Sequence, residues 1–64
     1  MDADDYRWAA DQLLARANKF RRSWQDASAR RKHPNLVATM KIAERRATRI
    51  AKTFLDIAEE IEKE

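Results

Sequence analysis

Only one stretch of this chain, His33-Pro34-Asn35, can interrupt a helix; there is no glycine anywhere and Pro34 is the sole proline. The residue before a proline is pushed out of the helical region, whereas proline itself suits the first turn of a new helix. Asn35 is an alternative N-cap. The rest of the sequence is dominated by Ala, Arg, Lys, Glu and Leu, all strong helix formers. A strand-rich fold would need turn residues that are absent here. The break predicts an all-α fold in a single unit over residues 1–64. Helix one runs over about 3–31, a turn over about 32–35 and helix two over about 36–62. Asp2, Asp4 and Asp5 supply a cap and a negative first turn, which suits the helix dipole.

The apolar residues of helix one fall at Tyr6, Ala10, Leu13, Ala17, Phe20, Trp24 and Ala27, in alternating steps of four and three. In helix two the same alternation picks out Leu36, Met40, Ala43, Ala47, Ile50, Phe54, Ile57 and Ile61. This is the inner seam of a coiled coil. Folding back at His33-Pro34 sets Tyr6 against Ile61, Leu13 against Phe54, Ala17 against Ile50 and Phe20 against Ala47. With Ala10 against Ile57, Trp24 against Ala43 and Ala27 against Met40, five of the seven layers oppose an alanine to a large residue, which lets side chains interdigitate without voids. The alternative, one continuous helix kinked at Pro34, costs about 3 kcal/mol and breaks the backbone ladder. The expected architecture is a two-helix antiparallel hairpin, coiled-coil-like in its packing.

A chain of 64 residues buries too little surface to be stable by a wide margin. With no cysteine and a single histidine, His33, it has neither disulfides nor a thiolate or histidine-rich metal site. Regular helices and oligomerisation remain. A second apolar stripe beside the seam, Leu14 on helix one with Val37, Ala51, Leu55 and Ala58 on helix two, is the expected self-association surface. It predicts a homodimer in which two hairpins form a four-helix bundle.

Charge is segregated along the chain. Residues 1–15 carry Asp2, Asp4, Asp5 and Asp11 against Arg7, a net −3; residues 16–52 carry twelve Lys and Arg against Asp26 and Glu44, a net +10; residues 53–64 carry five carboxylates against Lys63, a net −4. Carboxylates at the end of helix two oppose its dipole by roughly 0.3–1 kcal/mol each. A two-fold dimer with turns at opposite ends would compensate by laying acidic ends on basic ones. The basic half offers Arg21, Arg22, Arg30, Arg31, Lys32, Arg45, Arg46 and Arg49 as candidates for a protein partner or for phosphates. Trp8 and Ile42 fall on outward faces, and an exposed tryptophan is a common binding anchor.

Catalysis needs a concave site holding a base or nucleophile. The seam as read here carries no carboxylate or histidine, so no enzyme activity, cofactor or metal is expected. No apolar run approaches the roughly 20 residues that span a bilayer, and the N-terminus has no signal-peptide pattern. The expectation is a cytoplasmic protein without membrane association. Three functions fit. The first is a small regulator or inhibitor, of a phage or mobile element, that binds a larger protein through its charge-polarised surface. The second is a dimeric RNA- or DNA-binding protein using the basic turn half. The third is a structural subunit of a larger helical assembly. In length and layout the chain is similar to the plasmid-encoded Rop hairpin, a likeness of architecture without a shared residue motif. That resemblance implies a four-helix dimer and binding of paired RNA loops.

Overall fold

The computed structural model describes residues 1–64. Two helices, α1 (Ala3–Ala29) and α2 (Pro34–Lys63), pack side by side as an antiparallel hairpin, a rod 50 Å long. Helix α1 starts on a complete capping box. The Asp2 carboxylate accepts from the Asp5 backbone N–H at 3.0 Å, and the Asp5 carboxylate accepts from the Asp2 N–H at 3.1 Å. Two of the orphan amides of the first turn are thereby satisfied.

The turn lies two residues earlier than the sequence suggests, at 30–33, and α1 ends at Ala29 rather than near Arg31. The Arg31 N–H donates to the Ser28 carbonyl at 3.1 Å, and the Lys32 N–H donates to the Ala27 carbonyl at 2.9 Å. These are the two hydrogen bonds of a Schellman motif. Its left-handed residue is Arg31, at φ 55°, where glycine usually sits. Helix α2 then starts at Pro34, in the first helical position, with His33 as the N-cap. The His33 Nδ1 accepts from the Asn35 N–H at 3.1 Å, so Asn35 lies inside the helix instead of capping it.

Every fully buried residue is an alanine: Ala3, Ala10, Ala17 and Ala27 on α1, and Ala47, Ala51 and Ala58 on α2. All the large apolar residues of the seam are half-buried or exposed. The α1 seam matches the heptad reading. On α2 the inner face is turned by one residue. Ile50, expected inside, is 40% exposed, while Ala51 beside it is 0% exposed. Ala58 is likewise enclosed next to a half-buried Ile57, and Val37 is more covered than Leu36. The observed inner face of α2 is centred on the buried Ala47, Ala51 and Ala58, with Val37, Met40, Ala43, Glu44, Phe54, Ile57 and Ile61 half-buried around them.

The cause is the distance between helix axes, which the side chains at the contact determine. Alanines recurring every heptad on both helices let the backbones approach closely. A β-branched Ile50 at the same place would hold them apart. The large side chains move out to the flanks and fold over the alanines from there. The Tyr6 ring packs on Phe54, at 5.9 Å between centroids, a pair that the expected layering does not contain.

Candidate binding surface

The two flanks of the hairpin differ in chemistry. One is closed by polar contacts between the helices. At the open end, Arg7 forms an ion pair with Glu62 across the hairpin and another with Asp4 at 3.3 Å. Nearer the turn, Glu44 accepts from Arg21 Nε at 3.0 Å and from the Trp24 indole N–H at 3.1 Å, through the same oxygen. Lys41 sits over the Trp24 ring at 4.7 Å. The Glu44 side chain is only 12% exposed. The Arg21 and Trp24 hydrogen bonds hold its carboxyl below the ordinary carboxylate range. The seam therefore does contain a carboxylate, contrary to the heptad reading. Glu44 lies two turns before Ala51 on the same inward-turned face of α2, and the clamp makes that acceptable because the charge is paired and hydrogen-bonded.

These contacts divide the basic set. Arg21 is held by Glu44, and Arg30 by Asp26 at 3.1 Å one helical turn away. Arg31 and Lys32 form the tip of the turn, and Arg22 is exposed on α1. Arg45, Arg46 and Arg49 have no ion-pair partner and line one open cleft around Ile42, itself 57% exposed. Trp8 is 67% exposed on the outer side of α1, in the acidic half of the rod and away from this cluster.

The expected self-association stripe is also divided. Leu14 and Leu55 are partly exposed, at 36% and 39%, and Val37 is half-buried. Ala51 and Ala58 are enclosed within the hairpin and have no surface to offer a second copy. A second apolar surface lies on the opposite flank. Exposed Ile50 and half-buried Leu13, Phe20 and Ala43 line a shallow groove there over the buried Ala47, with Arg16 and Arg46 on its edges. Hydrophobicity identified these residues, but the assumed register placed Ala43 and Ile50 in the hairpin's interior. Arg16 carries no sequence signal that sets it apart from the other exposed basic residues.

No group of His, Cys, Asp and Glu is placed to hold a metal ion, and no helix is long and apolar enough to cross a membrane. No protein-family model matches the chain, and no significant match is found among curated proteins or solved structures.

Proposed function

We propose that this chain is a non-enzymatic regulator or inhibitor that binds the acidic surface of a larger protein with the basic half of its rod. The observation that carries this reading is the cluster on α2, where exposed Ile42 is surrounded by Arg45, Arg46 and Arg49, none of them paired within the chain. An apolar anchor ringed by guanidinium groups suits a carboxylate-rimmed protein pocket, since arginines form bidentate contacts with carboxylates while the anchor is desolvated. Capture from a nuclease-treated lysate, repeated with Ile42→Asp and with Arg45→Glu/Arg49→Glu, tests it. One protein species should be retained by the wild type and lost with both variants. Loss of all captured material on nuclease treatment would refute the reading.

Nucleic-acid binding is the second reading, favoured by the unpaired Arg31 and Lys32 at the tip. It predicts binding that weakens with salt in proportion to the phosphates neutralised, with a log–log slope of about −0.9 per contact on duplex DNA.

We also infer that two hairpins associate into a four-helix bundle. Support comes from a core that encloses no side chain larger than alanine. Small scaffolds with so little enclosed surface gain most from a second apolar layer.

A further inference from the structure

The open groove has a charge pattern that repeats along each helix. On α2, Arg46 at the groove edge and Glu60 near the open end are two heptads apart, and so lie on one stripe. On α1, Arg16 at the other edge and Asp2 are likewise two heptads apart. Glu60 thus occupies the same helical position as Arg46 about 21 Å away, from 1.5 Å of rise per residue, while Asp2 is the extended N-cap just ahead of α1, one of its carboxylate oxygens accepting from the Asp5 N–H and the other free to meet an arginine. Arg16 and Arg46 have no ion-pair partner, and Glu60 makes only a loose exposed contact with Lys63 at 3.8 Å.

We propose that this flank docks a second copy of the chain as a half-offset antiparallel dimer, with its two-fold axis passing near Ala9 and Thr53. The proposal rests on the self-association inferred above and assigns it a face and a register. Ala9 and Thr53 are the midpoints of the two arginine–carboxylate spacings, and the contacts of Arg21 with Glu44 and of Lys41 with Trp24 place them within about one helical turn of each other along the rod. The axis exchanges each arginine with a carboxylate: Arg46 meets Glu60 of the second copy, and Arg16 meets its Asp2. The same operation lays Ile50 beside the other Ile57, and Leu13 beside the other Tyr6. Small side chains lie where the copies cross, and the Thr53 hydroxyl is already satisfied by the Arg49 carbonyl at 3.1 Å. Every helix in the overlap runs antiparallel to its neighbours, the arrangement of stable four-helix bundles.

Full overlap of the two rods fails on the same residues. An axis through the middle of the rod brings Arg46 towards its own copy and Arg16 towards its own copy, and like charges across an interface repel. The offset instead uses the acidic open ends, accounting for carboxylates that oppose the α2 dipole. It leaves a basic turn half, with Ile42 and Arg45, projecting from each end of the assembly.

Sedimentation equilibrium of charge-reversal variants tests the pairing, because Arg46 and Glu60 are exposed and their exchange leaves the hairpin intact. Arg46→Glu and Glu60→Arg should each weaken the dimer by about tenfold or more, and the double variant should restore it. Cysteine pairs test the register without interference, since the chain has none of its own. On oxidation, Ile50→Cys chains should cross-link to Ile57→Cys chains and not to Ala43→Cys chains. A dimer that joins Ile50→Cys to Ala43→Cys would overturn the offset while self-association stood. A wild-type chain that sediments only as a monomer would overturn both.

Discussion

Replacing Ala51 by leucine tests the packing most directly, because the two registers of α2 give opposite outcomes. Ala51 has no exposed surface and lies on the inner face of α2. A leucine there has no void to fill. The helices must separate locally, which also loosens the neighbouring alanine contacts at Ala47 and Ala58. Overpacking of a tight site typically costs about 1–3 kcal/mol. The upper part of that range applies, since a two-helix rod has no third element to absorb the strain. For a domain of this size each kcal/mol lowers the melting temperature by about 4–8 °C, so a fall of roughly 10–20 °C is expected. Ala15→Leu is the matched control. It lies on the outer face of α1, helix propensity hardly changes, and its effect should stay within about 0.5 kcal/mol. Circular dichroism melts and urea titrations at one protein concentration measure both. Were Ile50 the inward residue, Ala51→Leu would fall on a flank and be neutral or stabilising; that result would refute the alanine-centred seam.

The ends of the helices and the Glu44 clamp give three further expectations. His33→Ala should cost about 1 kcal/mol by removing the α2 cap, while His33→Ser should keep most of the stability, read by urea titration. Arg31→Gly should stabilise by about 0.5–1 kcal/mol, since the left-handed backbone at this position strains any residue with a side chain; an unchanged urea midpoint would contradict the Schellman turn. The Glu44 carboxyl is depressed in the folded chain, so its contribution is complete above the unfolded-state value and is lost as pH falls through the folded-state one. In a Trp8→Phe background, Trp24 fluorescence and stability should therefore both fall in acid below about pH 4.5, and Glu44→Gln should flatten that dependence.

Much of the fold is legible in the sequence because the strongest signals agree. Pro34 marks the only break, and the α1 apolar residues have one consistent spacing. On α2 two arrays fit the same period, one through Ile50 and Ile57 and the other through Ala51 and Ala58. Both contain Met40, Ala47, Phe54 and Ile61. Hydrophobicity favours the isoleucines, whereas close approach of two backbones favours the alanines, and only the packed pair decides between them. The Schellman turn was hidden because its usual glycine is replaced by Arg31. The basic half was visible as composition, but its division was not. Whether an arginine is held or free depends on carboxylates brought up by the other helix, as Glu44 is to Arg21, or lying one turn away, as Asp26 is from Arg30.

A core made only of methyl groups also shapes how this chain responds to temperature. Unfolding it uncovers little apolar surface, and the heat-capacity increment scales with that surface. The enthalpy of opening is small for so short a chain, so its stability curve is shallow and melting spreads over many degrees. Without a sharp threshold, the folded fraction drifts as the surroundings warm or cool, and whatever occupies the exposed flank shifts that drift.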